Sequence, residues 1–135
     1  MSSFVLIGKP NCGKSLLFNR LTGLTQKVAN YPGVTVSIKS GHYKEHTIVD
    51  FPGVYSLKTI SKDEEVAVDN FKELLSSDEL KGVIVVLDGT RFEQSLLLGL
   101  QIQQLLRGKK IDLIFVINML DVLEEHSLSI DTTAL

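Results

Sequence analysis

Residues 8–15 read Gly-Lys-Pro-Asn-Cys-Gly-Lys-Ser. A short apolar run, Phe4-Val5-Leu6-Ile7, comes before them, and an amphipathic stretch, Leu-Leu-Phe-Asn-Arg-Leu at 16–21, comes after. Strand, glycine loop and helix in that order form the setting in which the pattern G-x-x-x-x-G-K-[ST] closes around phosphate. A glycine turn of this kind can also bind nothing, but the match on both flanks argues against that here. The glycines let backbone N–H groups turn inward around phosphate oxygens, and the start of the helix adds partial positive charge. Lys14 is expected to reach the β- and γ-phosphates of a nucleotide, and Ser15 to give its hydroxyl to Mg²⁺.

A chain of 135 residues with 44% hydrophobic content is expected to form one domain with a sizeable core. The net charge of −2 gives no sign of a nucleic-acid or anionic-membrane surface. The single cysteine, Cys12, has no internal partner, which fits a reducing compartment. It lies within the glycine loop, where a small residue fits, and a redox role is not expected. No signal peptide is read at the N-terminus, which enters a strand at once. No apolar run approaches the roughly 18 residues a membrane span needs, so a soluble chain is expected.

No repeat, low-complexity tract or linker interrupts the sequence. A first helix is expected over about 13–22, with Leu17, Phe18 and Leu21 on one face and Gly23 at its end. Residues 24–33 are polar, lack periodicity and close on Asn-Tyr-Pro-Gly, which reads as a loop. Residues 34–40 alternate cleanly and read as a half-buried strand; with 47–50 they suggest an antiparallel hairpin turning near 41–45. Ser61-Lys-Asp-Glu64 has the form of a capping box, and Ala67, Phe71, Leu74 and Leu75 follow at helical spacing. The continuous apolar run 82–87 ends at Asp88 and reads as a strand buried on both faces. A helix over about 92–106, closed by Gly108, and a second buried strand over 111–117 complete the order. Alternating strands and helices predict an α/β domain with a mostly parallel sheet and helices on both faces. The candidate motifs all fall just past the carboxyl ends of strands, where open α/β sheets bind ligands.

Four stretches combine. Besides the glycine loop, Thr35 follows Pro32-Gly33 in a segment able to reach Mg²⁺ only when a γ-phosphate is present. Asp50-Phe-Pro-Gly53 places an acid that can hold the Mg²⁺ shell and an N–H, on Gly53, that can meet the γ-phosphate. Asn118-Met-Leu-Asp121 places a carboxylate able to accept from N1–H and the 2-amino group of guanine, a pattern adenine lacks. The asparagine there can reach the base edge and brace the glycine loop. Taken singly, Thr35 reads as a strand threonine, D-x-x-G as a turn and N-x-x-D as a weak match; their order and spacing give them force.

The set resembles the GTPase motifs of the Ras-like P-loop superfamily, and most closely the N-terminal G domain of the FeoB ferrous iron transporter family. The telling segments are 8–19, Asn30-Tyr-Pro-Gly-Val-Thr-Val36, Asp50-Phe-Pro-Gly-Val-Tyr-Ser-Leu57 and Asn118-Met-x-Asp121. Met119 stands where most such GTPases carry lysine and where this family commonly has methionine. The resemblance covers essentially the whole chain and implies the P-loop GTPase fold, with one antiparallel edge strand in the sheet. It implies that Gly8, Asn11, Cys12, Gly13, Lys14, Ser15 and Leu16 line GTP or GDP, together with Thr35, Asp50, Gly53, Asn118, Met119 and Asp121. Ser15, Thr35 and Asp50 would serve Mg²⁺, and Asn11 resembles the K⁺ ligand of potassium-activated GTPases. Asn11, Lys14, Thr35 and Gly53 are the residues expected to act on the transition state. The implied partner is a membrane-embedded part of the same protein at the cytoplasmic face of the bacterial inner membrane. A homo-oligomer is left open.

The sequence departs from the family pattern in four places. Lys9 replaces a more usual asparagine, and Phe51 a leucine. Val54 follows Gly53 where Ras has the glutamine that orients water, so slow hydrolysis, or hydrolysis relying on backbone and cation, is expected. The chain stops at Leu135, before the family's next strand, base-contacting loop and helix, so a C-terminally incomplete G domain is expected, with Ser129 opening a helix cut short. His42 and His46, four apart across a turn, read as surface polar residues, and Glu124-Glu-His126 as a solvated end rather than an iron site. Lys109-Lys110 reads as a charged turn, and the leucines over 96–106 as core packing. Three alternatives remain: a potassium-activated GTPase of tRNA modification or ribosome assembly, a non-hydrolysing nucleotide switch, and an ATP-using P-loop enzyme. Met119 counts against the first, and Asn118 with Asp121 against the last.

Overall fold

The computed structural model describes residues 2–10, 12–31, 33–54, 57 and 62–118. Its elements are β1 (Ser3–Gly8), α1 (Lys14–Thr22), β2 (Lys27–Ala29), β3 (Ile38–Tyr43), β4 (His46–Asp50), α2 (Lys62–Leu75), β5 (Leu80–Asp88), α3 (Phe92–Leu105) and β6 (Asp112–Asn118). The strands form one sheet in the order β2-β3-β4-β1-β5-β6. β1 lies parallel between β4 and β5, and β6 runs parallel to β5. β3 is antiparallel to both β4 and β2.

Period-two alternation along the central strands sorts the apolar side chains to two faces. Leu6, Ile48, Ile84 and Val86 point toward α1, where they meet Phe18, Leu17 and Cys12. Val5, Ile7, Val49, Val83, Val85 and Leu87 point the other way, onto Phe71 and Leu74 of α2 and Leu98 and Ile102 of α3. The helices therefore cover both faces, as the buried runs at 4–7 and 82–87 require. Phe51, read from sequence as a mild apolar change, is fully buried and meets Phe71 edge-on, with centroids 5.4 Å apart and an interplanar angle of 69°. That contact ties the residue after Asp50 to α2.

Four local expectations need correction. The strand read as buried over 111–117 is β6, which is only partly covered, with Ile114 41% exposed. Of the leucines over 96–106, Leu98 and Leu106 are core, but Leu97 and Leu100 are exposed on the outer face of α3. Residues 24–33 are not wholly loop: a single 3-10 turn over Gly23–Thr25 leads into β2, which pairs with β3. The antiparallel strand β3 is therefore flanked by β2 and does not form the sheet edge. Residues 34–37 are not strand; β3 begins only at Ile38, and its hairpin with β4 turns at Lys44, whose φ of 55° is left-handed. Val34 and Val36 satisfy their apolar character by packing against the α2 side of the core rather than in the sheet. The capping-box residue Ser61, the Glu64 side chain and everything from Met119 on lie outside the described residues. Among the described residues, no helix is long and apolar enough to cross a membrane.

Candidate functional site

The parallel strands bring Gly8, Asp50, Asp88 and Asn118 to one end of the sheet, since Leu6 is in register with Asp50, Gly8 with Val86, and Asp88 with Asn118. The glycine loop folds over this end. A Cβ on Gly8 would stand 2.7 Å from Cys12 Sγ and 2.9 Å from the Val86 carbonyl, so only glycine lets the loop close there. Gly13 has φ 85°, the left-handed region open to glycine, and starts α1 without a side-chain cap. The N-cap residue Gly13 has no side chain to cap the start of α1, the arrangement that suits an anion, although the Lys14 N–H is shared with the Cys12 thiol.

Lys14, the first residue of α1, is buried, and its Nζ is ion-paired with Asp50 Oδ1 at the end of β4. Sequence reasoning assigned these residues to phosphate and to Mg²⁺; the structure places their charged groups side by side. Ser15 and Leu16 follow on exposed positions of α1. The Asp50–Gly53 stretch is hydrogen-bonded along β1: Phe51 N–H donates to the Leu6 carbonyl at 3.0 Å and Val54 N–H to the Gly8 carbonyl at 3.0 Å. A Cβ on Gly53 would lie 3.0 Å from Pro10 N and 3.1 Å from its Cα, so this glycine sits directly against the loop backbone. Val54 is turned into the core with 6% of its surface exposed, and it cannot orient a water.

Asn118, the last residue of β6, donates from Nδ2 to the Cys12 carbonyl at 3.1 Å. This is the brace expected of it, reaching 106 positions along the chain. Thr35 is exposed and joins neither Ser15 nor Asp50. Its N–H donates to Asn70 Oδ1 of α2 at 2.6 Å, and its Oγ1 accepts from Asn70 Nδ2 at 3.1 Å. Asn70 was not singled out from the sequence, although it is a polar residue set in the apolar stripe Ala67, Phe71, Leu74, and that anomaly was readable. Asn11, Met119 and Asp121 lie outside the described residues. His42 is exposed, whereas His46 is half-buried, 2.6 Å from Ser2 Oγ through Nδ1 and edge-on to Phe4. Among the described residues, no group of three His, Cys, Asp or Glu could hold a metal by itself.

Burial pushes the Cys12 thiol above its ordinary value, outweighing the opposing pull of Lys14. A raised thiol means less thiolate at a given pH, and only the thiolate reacts readily. Alkylation of native protein at pH 8 is therefore expected to run at least about tenfold slower than of unfolded protein. Because Cys12 is the one cysteine, total thiol labelling reads it directly. Equal rates in the two states would show that the loop does not bury the sulfur.

A model of the ferrous iron transport protein B N-terminal family, FeoB_N, matches residues 2–135. This chain belongs to the FeoB family. It is 42% identical over 143 residues to the Fe(2+) transporter FeoB of Legionella pneumophila (strain Lens), covering 100% of this chain and 18% of that relative. The Fe(2+) transporter FeoB of Salmonella typhimurium is also 42% identical, over 138 residues, covering 96% of this chain and 17% of its own length. The chain thus spans under a fifth of the curated FeoB relatives it matches. Among solved structures, the cytosolic domain of T. maritima FeoB in a GDP form shares 43% identity at a TM-score of 0.75, covering 98% of this chain and 51% of that one. The cytosolic domain of L. pneumophila FeoB gives 40% and 0.76, covering 98% and 55%. An S. thermophilus NFeoB mutant bound to mGDP gives 37% and 0.78, covering 98% and 49%. The P-loop GTPase fold expected from the sequence is the fold of these FeoB G domains.

Proposed function

We propose that residues 1–135 act as the G domain of a ferrous iron transporter, binding a guanine nucleotide with Mg²⁺ and hydrolysing GTP at the cytoplasmic face of the membrane. The observation that carries this reading is the Lys14–Asp50 pair at the uncapped start of α1, on a loop that Asn118 holds from β6. The donor set fits the ligand: a buried cation, a helix start with no N-cap side chain and two glycines at close approach suit phosphate oxygens. A carboxylate and two hydroxyls, Asp50, Ser15 and Thr35, suit a hard cation with oxygen ligands. Bound there, Mg²⁺ would supply charge neutralisation of the phosphates.

The protein's own contributions follow from position. Lys14 and the loop N–H groups hold the phosphates in line. Gly53 packs on Pro10 of the same loop, and its N–H is assigned to the γ-phosphate. Asn118 keeps the loop registered with the segment that carries Asp121, whose carboxylate reads guanine. With Val54 in the core, no side chain at that position helps the attacking water, so turnover is slow and leans on backbone donors and a cation. Asn11 is assigned to K⁺, which would add positive charge where charge develops. Membrane partner and iron transport rest on the relatives, each far longer than this chain.

Phosphate release from GTP with Mg²⁺, in KCl against NaCl at matched ionic strength, tests the cation. Wild type is expected to run faster in KCl, and Asn11→Ala to lose that stimulation while keeping GTP affinity within a few-fold. Unchanged stimulation in Asn11→Ala would remove Asn11 as the ligand. Equal rates in both salts for wild type would remove K⁺ itself.

A further inference from the structure

Asn70 lies in the third turn of α2 with 3% of its surface exposed, yet its amide is fully employed. Nδ2 donates to the Val66 carbonyl one turn back at 2.9 Å and to Thr35 Oγ1 at 3.1 Å. Oδ1 accepts from Thr35 N–H at 2.6 Å and from the Thr35 hydroxyl at 3.3 Å. The orientation of the amide follows from its partners: the Val66 carbonyl can only accept and the Thr35 N–H can only donate. A buried amide thus spends most of its bonds on one exposed residue outside any regular element. The neighbours of Thr35 reinforce the docking. Tyr31, Val34 and Val36 pack against the core cluster that contains Phe71 and Leu74. Gly33, with φ 78°, lies so close to α2 that a Cβ would stand 2.5 Å from Glu73 Oε2. Asn70 and Glu73 are three apart and share a helix face.

We infer that Asn70 is a positioning residue that holds Thr35 on α2 and away from the Mg²⁺ ligands, so that a γ-phosphate must draw Thr35 off this helix. The inference rests on the guanine-nucleotide reading above. Among the described residues Thr35 bonds to Asn70 and to none of Lys14, Ser15 or Asp50. Joining Ser15 and Asp50 around a metal therefore means leaving the amide. Because α2 follows the Asp50–Gly53 stretch and is tied to it through Phe51 and Phe71, the helix that holds Thr35 also holds that stretch. A ligand shifts such an equilibrium only by its differential affinity for the two arrangements, so weakening the docked one favours the triphosphate.

Affinities for GDP and for a non-hydrolysable GTP analogue, both with Mg²⁺, measured on the intact protein, test this. Asn70→Ala should tighten the analogue about tenfold, the scale of one net hydrogen bond, and leave GDP within about twofold. Asn70→Leu, close in volume and unable to hydrogen-bond, should do the same, and its retained GDP affinity reports an intact fold. Introduced into Thr35→Ala, either change should lose most of its effect on the ratio. A merely structural role for Asn70 would weaken both nucleotides together. If wild type binds and Thr35→Ala weakens the analogue, an unchanged ratio in both Asn70 variants overturns the role of Asn70 and leaves the nucleotide reading standing. If wild type binds no guanine nucleotide, both fall. Should both variants misfold, amide exchange in wild type decides. The Thr35 N–H should be protected with GDP and exchange at least tenfold faster with the analogue, and equal protection overturns the inference.

Discussion

Lys14→Ala is expected to lower affinity for GDP and GTP by about 100-fold or more. The side chain is 8% exposed, and its ammonium stands beside the Asp50 carboxylate at the end of β4. A charge-assisted hydrogen bond contributes about 1.5–3 kcal/mol, and the proposed role of Lys14 is to make them to two phosphates. Removing it also leaves Asp50, whose side chain is 13% exposed, as an uncompensated negative group facing the polyphosphate. The two losses add in the same direction. They separate in a double variant. Lys14→Ala alone should lower the thermal midpoint, because breaking a buried pair from one side costs about 3–5 kcal/mol. Adding Asp50→Asn should restore much of that midpoint without restoring the affinity supplied by Lys14. Calorimetric titration with GDP, beside a thermal scan of each variant, reads both quantities. An Lys14→Ala protein that binds GDP within threefold of wild type would show that the ammonium does not meet phosphate.

The second large effect concerns the base. Asp121→Asn should exchange guanine for xanthine as the preferred base, with a change in the GDP to XDP affinity ratio of about 10⁴-fold. A site that hydrogen-bonds a ligand group rejects the analogue lacking it by factors of this order, since its own polar groups are then left unpaired. The Asp121 carboxylate only accepts, and it suits the N1–H and 2-amino donors of guanine. An asparagine accepts with Oδ1 and donates with Nδ2, which suits N1–H and the 2-oxo group of xanthine. Competition of GDP and XDP for the protein measures the ratio. A variant that still prefers GDP would mean that another residue reads the base.

The architecture was legible because it depends on strong, repeated signals. Continuous apolar runs at 4–7 and 82–87 can be satisfied only in strands covered on both faces, and the structure covers them with α1 on one side and α2 and α3 on the other. The run at 111–117 misled, because β6 packs Leu113, Phe115 and Ile117 on the α2 and α3 side while Ile114 on the other face is 41% exposed. The glycine loop was legible for a covalent reason: Gly8 and Gly13 occupy positions where a Cβ or a negative φ would not fit. The Asn118 brace was legible as well, since a short polar residue at the end of a buried parallel strand has few other partners than the adjacent loop.

What escaped the sequence was decided by tertiary contacts. The alternation Val34-Thr-Val36 is the period of a strand, and local pattern alone cannot tell a strand from an extended segment docked on a helix. The Asn70 amide and the apolar face of α2 settle it. β2 is three residues long, and its pairing is set by β3 rather than by its own composition. Lys14 and Asp50 were each assigned a role, but that they face one another follows from the parallel register of β1 and β4, which no spacing along the chain reveals.

The central claim is that this domain is selective for guanine nucleotides and hydrolyses GTP. Single-turnover phosphate release, measured on the intact protein with Mg²⁺ and K⁺ and with GTP and ATP in parallel, tests it most directly. The account predicts slow but complete release from GTP and no release from ATP above the uncatalysed rate. Release from ATP at a comparable rate, or none from GTP with the site fully occupied, would contradict it.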